Sequence, residues 1–217
     1  MKVYDLVSIF RRYSADLQVP LIDQIIQEFE HNPYLILIAC LLSLRARDRM
    51  TIHVCRDLFG RVKTPQELLA LGQEKLENII FRTGYYKTKA GVLRHVSQEI
   101  ISRFQGIVPG DYESLMSIKG IGPKTANLVL GMGFGVPALC VDVHVHRISN
   151  RLGLICTKNV EKTETMLKEI LPKNLWIEWN KLLVMWGQNI CGPVSPFCSR
   201  CPLSKGMCAR VGVKKMR

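Results

Sequence analysis

The sequence predicts an all-α protein. Apolar residues recur at helical spacing along most of the chain, and prolines and glycines punctuate that pattern where helices should start and stop. No stretch alternates apolar and polar residues for long enough to make a strand. Val141 to Val145 alternates briefly, but helical signals flank it.

Each element follows from local chemistry. Leu21, Ile22, Ile25, Ile26 and Phe29 fall on one face of a helix. Asn32-Pro33 then breaks the chain, and Pro33 suits the start of the next helix, Tyr34 to about Leu44. That segment is apolar almost all round, which marks the central buried helix. Thr64-Pro65 opens another helix with Glu67 in its first turn. Leu68, Leu69, Leu76, Ile79 and Ile80 are the apolar positions of this helix and the next. Gly84 breaks before a long helix, Lys87 to Phe104, and Asp111 can cap a short one carrying Leu115, Met116 and Ile118. After Cys208, the segment 209–217 carries four cations and no acid and is expected to fray.

The chain has 217 residues, 47% of them hydrophobic, enough for a real core. Lys and Arg exceed Asp and Glu by 30 to 18, a formal net charge of +12 that favours a polyanionic partner such as nucleic acid. Asp5, Arg11, Arg12 and Asp16 interrupt the N-terminal apolar residues, which argues against a signal or transit peptide. The longest apolar run, Tyr34 to Leu44, is too short to span a bilayer. The expectation is a soluble intracellular protein, cytoplasmic or nucleoid-associated, with no targeting signal and no membrane partner. Cys40, Cys55, Cys140 and Cys156 sit singly among apolar residues and read as buried thiols.

Four further cysteines close the chain. Cys191, Cys198, Cys201 and Cys208 have the spacing C-x6-C-x2-C-x6-C. Loops this short bring four thiolates onto one centre at little entropic cost. In a reducing compartment they read as a metal site before two disulfides, either zinc or an iron–sulfur cluster.

The segment Lys119-Gly120-Ile121-Gly122-Pro123-Lys124 lies between two apolar helical stretches. Two glycines before a helix N-terminus expose consecutive backbone amides that suit a phosphate, and Ile121 can plug the turn into the core. The alternative is an ordinary helix corner needing glycine at positive φ. Lys124 adds weight to the functional reading. The helix dipole disfavours its ammonium form, partial burial would act the same way, and a neutral amine can form a Schiff base with an aldehyde-like carbon. Asp142 stands in an apolar stretch eighteen residues on. It can cap the following helix, help activate Lys124, or do both. His144 and His146 have no third ligand nearby in sequence and read as structural hydrogen-bonding residues.

These segments together resemble the endonuclease III branch of the helix-hairpin-helix DNA glycosylases. The match runs collinearly from about residue 32 to 208. It takes in Asn32-Pro33-Tyr34, Leu41-Leu42-Ser43, Gly84 to Ala90, Val108-Pro109, Lys119 to Asn127, Phe134-Gly135, Val141 to His144, Lys158 to Glu161, Gly187 and the four cysteines.

The resemblance implies a two-lobed helical DNA glycosylase fold. One lobe, residues 26–136, is a helical barrel with the hairpin. The other, 1–25 with 137–217, is an iron–sulfur domain in which the four cysteines hold a 4Fe-4S cluster. It also implies base excision on double-stranded DNA containing damaged bases or abasic sites, by a chain acting as a monomer. Lys124 would attack the sugar with help from Asp142, and the Schiff base would permit β-elimination. That makes a bifunctional glycosylase and AP lyase for damaged, oxidised pyrimidines. Lys119, Gly120 and Gly122 would hold the DNA backbone.

Five departures bear on this. The last cysteine interval is x6 where x5 is usual. Arg45 takes the place of a glutamine that fills the gap left by the flipped base, and Tyr85 that of a leucine that wedges into the stack. Val143 and His146 also differ. Arg45 can alternatively be a solvated helix end. A glycosylase for mismatched, alkylated or oxidised-purine bases, or a non-catalytic DNA-structure-binding protein, remains the competing reading.

Overall fold

A computed structural model describes residues 3–46 and 48–217. Helices carry most of the described chain up to Asn189, and turns and irregular segments follow. The elements are α1 (Val3–Ser14), α2 (Leu21–Phe29), α3 (Pro33–Ser43), α4 (Asp48–Phe59), α5 (Pro65–Ala70), α6 (Gln73–Ile80), α7 (Tyr86–Phe104), α8 (Tyr112–Met116), α9 (Pro123–Phe134), α10 (Val143–Leu152), α11 (Val160–Ile170) and α12 (Trp176–Asn189). No strand occurs among the described residues. They form two compact units, 21–136 and 1–20 with 137–217. A division at 25/26 would cut through α2, which lies wholly in the first of these.

The unit 21–136 is built around α3. Asn32 caps it by accepting from the backbone N–H groups of Tyr34 at 2.9 Å and Leu35 at 3.4 Å. Every residue from Tyr34 to Leu42 is buried, so no face of this helix is left for water. It packs against α2, α4, α7 and α9. Buried polar groups in this core find partners. The Tyr34 hydroxyl meets the Ser97 hydroxyl of α7 at 2.7 Å, and burial pushes the phenol's pKa up. Thr64 and Glu67 form the reciprocal capping box that starts α5.

The other unit encloses Phe10 of α1 between Trp179 and Trp186 of α12. Both contacts are edge-on, with centroids 6.1 and 4.9 Å apart. α10 lies along α12 with Gly187 at the contact. A Cβ there would collide with His144 Nδ1 and come within 2.8 Å of its Cγ, so the packing requires glycine. Gly187→Ala is expected to cost about 1–3 kcal/mol through overpacking. All three tryptophans lie in this unit, so a lowered urea midpoint in their emission checks it. An unchanged midpoint would mean that His144 moves aside at no cost.

Two expectations are corrected here. The segment after Cys208 does not fray. Val211 N–H donates to Arg151 O at 3.1 Å, Arg217 N–H to Pro196 O at 2.8 Å, and Ser199 N–H to Arg217 O at 3.0 Å. The Arg217 guanidinium also stacks 4.1 Å over Phe197. Backbone pairing therefore ties down a segment whose composition alone suggested a loose tail. Cys156 is exposed, while Cys40, Cys55 and Cys140 are buried. It follows Ile155, which is buried in the segment after α10.

Candidate functional site

The hairpin joins α8 to α9. Asp111 starts α8 by accepting from Ser114 N–H at 2.8 Å. Ile121 is buried, so the turn is plugged into the core. The two glycines differ in kind. Gly120 has φ +107°, a conformation L side chains rarely adopt, and a Cβ there would sit 3.0 Å from Val92 Cγ1 of α7. Gly122 has an ordinary φ of −102°, and a Cβ there would meet nothing within 4 Å. Its backbone therefore does not need glycine, and the space beside it is open. Gly122 is also the N-cap of α9, where no side chain caps the helix. An uncapped helix N-terminus with open space before it is suited to an anion.

Lys119 and Gly120 are exposed on this turn, and Lys124 is exposed in the first turn of α9. The partial burial expected of Lys124 is therefore not found, because the helix start faces outward. Lys124 lies close enough to Cys40 of α3 for its charge to act on that thiol. Cys40 is no rival nucleophile, because burial dominates and pushes its pKa up to about 12, holding it as the neutral thiol.

Arg45 and Tyr85 belong to the same unit, in the turns after α3 and before α7. Both take left-handed backbone conformations, with φ +54° and +59°. Non-glycine residues seldom do so, and such strain gathers at ligand-contacting positions. Tyr85 is 69% exposed. The two turns are neighbours, since a Cβ on Gly84 would stand 3.7 Å from the Arg45 carbonyl oxygen.

In the other unit, Asp142 is the N-cap of α10. One carboxylate oxygen accepts from the backbone N–H groups of His144 and Val145, both at 2.9 Å, and the residue is only 8% exposed. The capping role read from the sequence is thus present. His144 Nδ1 lies 3.1 Å from an Arg147 Nη and must accept, because a guanidinium has only donors. His146 Nδ1 pairs with the Thr163 hydroxyl at 2.7 Å. Both histidines are structural, as expected.

All four terminal cysteines line one cavity, together with Arg151, Phe197 and Arg210. No Asp, Glu or His lines it, so the four thiols are its metal-ligating side chains, with the Ser204 hydroxyl beside them. Burial pushes the pKa values of Cys201 and Cys208 up. A metal centre would therefore displace protons on binding. Among the described residues no three His, Cys, Asp or Glu side chains are gathered as a ready single-ion site.

Two arginines that sequence reading missed organise this loop. Arg147 donates to Cys191 O at 2.9 Å and to Gly187 O at 3.3 Å. Arg151 is buried and donates to Gly192 O at 2.6 Å and Pro193 O at 2.5 Å, with a longer contact of 3.4 Å to Cys191 Sγ. Their partners lie about forty residues away in the chain, so no local signal could have found them. Among the described residues no helix is long and apolar enough to cross a membrane.

Comparison with known proteins agrees with this geometry. Residues 38–173 match the model of the HhH-GPD superfamily base excision DNA repair proteins. The chain is 43% identical to endonuclease III of Thermotoga maritima over 172 residues, covering 79% of this chain and 81% of that protein. Its fold is similar to that of endonuclease III in a non-covalent DNA complex, with TM-score 0.84 and 32% identity over 96% of this chain and 94% of that one. It is also similar to endonuclease III trapped as a covalent DNA intermediate, with TM-score 0.80 and 30% identity over 97% of both chains. A hairpin closed by an uncapped helix start, a lysine in that helix and a terminal four-cysteine cavity thus occur together in a chain with these relatives. The chain belongs to the endonuclease III family of helix-hairpin-helix base excision DNA repair proteins.

Proposed function

We propose that, within the glycosylase and AP lyase chemistry of its family, this chain acts as a monomer on intracellular double-stranded DNA and removes oxidised pyrimidines. The observation that carries this reading is Lys124 in the first turn of α9, two residues after the open N-cap Gly122. A phosphate held by the hairpin places the sugar of a flipped nucleotide near that amine.

The Lys124 amine bonds to C1′ of the flipped sugar, and the base leaves with the C1′–N electron pair and takes up a proton. Lone-pair donation from the new amine then breaks C1′–O4′ and gives the iminium, with a proton going to O4′. Loss of a C2′ proton expels the 3′ phosphate by β-elimination. The Asp142 carboxylate, held in place by two backbone N–H bonds, serves to take the amine's proton or to balance the growing positive charge.

Arg45 and Tyr85 enter the duplex where the nucleotide leaves it. Lys119, Gly120 and Gly122 contact the backbone phosphates. Gly122→Ala separates docking from folding. It costs at most ~1 kcal/mol at an N-cap, yet it puts a methyl group where the phosphate must approach. Affinity for abasic DNA is expected to fall about tenfold or more at an unchanged melting temperature. Unchanged affinity would remove the hairpin from the phosphate contact.

Cys191, Cys198, Cys201 and Cys208 hold a 4Fe-4S cluster in this reading, which fits a cavity lined by four thiols and flanked by the Arg151 and Arg210 guanidinium groups. The cluster supplies a structural tie for the lobe and no step of base removal. Cys198→Ser is expected to lose the yellow-brown colour and to fold poorly. A colourless wild-type protein that contains zinc would replace the cluster with a zinc ion on the same four thiolates. The substrate is tested with a panel of lesion-bearing duplexes. Oxidised pyrimidines should be excised fastest, and faster removal of mismatched, alkylated or oxidised-purine bases would overturn the assignment.

A further inference from the structure

Two tethers hold the segment 209–217 against the four-cysteine cavity. At its start, Ala209 and Val211 N–H donate to the carbonyls of Leu152 and Arg151 at the end of α10, at 3.4 and 3.1 Å. Farther on, Arg217 N–H donates to Pro196 O at 2.8 Å, and Arg217 O accepts from Ser199 N–H at 3.0 Å. Arg217 is thus paired on both sides of Cys198. Its guanidinium adds bonds of 3.3 and 3.2 Å to Ser195 O and stacks over Phe197. Between the tethers, Val213 lines the cavity. Arg210 lines it too, and its guanidinium donates to Ser204 O at 2.5 Å, inside the interval between Cys201 and Cys208. The segment therefore runs along the wall of the cavity, from the end of α10 to the loop around Cys198.

We propose that this segment is a strap that closes the cysteine cavity to bulky solutes and so sets how long the metal centre survives, with Arg217 as its latch. The proposal rests on the cluster reading above and deepens it. The shell around a metal site controls what reaches it from solvent, and Val213 puts an aliphatic side chain into that shell. The strap holds by geometry. Gly212 has φ +71°, and the turn it makes lets Val213 N–H donate back to Arg210 O at 3.0 Å. A guanidinium is planar and can stack and donate at the same time, which an ammonium cannot match. The segment carries four cations and no acid, so its own charges repel and the backbone pairing has to oppose them. A short segment held at two points opens locally at less cost than its unit unfolds. Opening the strap is therefore the route by which a bulky solute reaches the centre.

The test uses two uncharged peroxides with the same reactive group and different bulk, hydrogen peroxide and cumene hydroperoxide. Each is added to the full chain as isolated, and the bleaching of the yellow-brown absorption is timed. Gly212→Val strains the turn through its backbone alone, since a Cβ there meets nothing within 4 Å. Arg217→Ala removes the stack on Phe197 and the bonds to Ser195 O. Each variant is expected to bleach about tenfold or more faster than wild type with cumene hydroperoxide, and about twofold faster at most with hydrogen peroxide. The double variant should exceed both, because either tether alone restrains the strap. The urea midpoint of tryptophan emission shows that each variant is folded.

Unchanged bleaching in the double variant would overturn the proposal. Equal acceleration with both peroxides would overturn it too, and would leave the segment as a stabilising contact that shields nothing. A wild-type protein isolated without the yellow-brown absorption fails the cluster reading. One that carries it, and whose variants bleach like wild type, fails only this inference.

Discussion

Lys124→Gln is expected to lower single-turnover base excision by roughly a thousandfold or more, because the attacking amine is gone and no substitute is built in. Glutamine keeps much of the length and polarity of the side chain. The exposed position of Lys124 means that the change disturbs no packing. Cys40, the nucleophile its charge reaches within the same unit, is held as a neutral thiol by burial and offers no rescue. Binding to an uncleavable abasic duplex should change by only a few fold, because the hairpin glycines and Lys119 remain. Excision rates and affinities measured side by side separate the two effects. An excision rate close to that of the wild type would move the nucleophile elsewhere.

Asp142→Asn carries the second large effect, about a hundredfold or more in excision. The structure makes this substitution discriminating. One carboxylate oxygen of Asp142 accepts the His144 and Val145 N–H groups, and an asparagine oxygen accepts in the same place. The helix start therefore survives while the charge disappears. Asp142→Ala removes both, and its added cost in stability, ~1 kcal/mol, measures the cap alone. If Asp142→Asn melts with the wild type and turns over at a similar rate, Asp142 is a cap and nothing more.

The helix starts were legible in the sequence because each depends on a few adjacent residues. Asp111 and Asp142 cap where their side chains predict, and Pro33, Pro65 and Pro123 each stand at a helix start. The buried central helix α3 was readable for the same reason, since an apolar surface on every side leaves one place for it. The hairpin was readable as a motif, but not the division of labour within it. Only coordinates show that Gly120 is required by backbone and packing while Gly122 leaves open space.

What the sequence hid depends on residues far apart in the chain. Arg147 and Arg151 reach Cys191 and its neighbours from about forty residues away, so no local pattern announces them. Gly187 looks like any glycine until His144 is seen against it. The last segment looked loose because its composition is basic, yet its backbone pairs with Pro196 and Ser199. The left-handed backbones of Arg45 and Tyr85 were equally invisible, since neither residue type favours that region.

The most direct measurement is to trap the protein on abasic DNA with borohydride, digest the adduct and map the crosslinked residue by mass spectrometry. Reduction freezes the Schiff base as a stable secondary amine at whichever nitrogen formed it. The expected result is one crosslinked peptide with the sugar remnant on Lys124. An adduct on another lysine, or no adduct from folded wild-type protein, would contradict the assignment of Lys124 as the nucleophile.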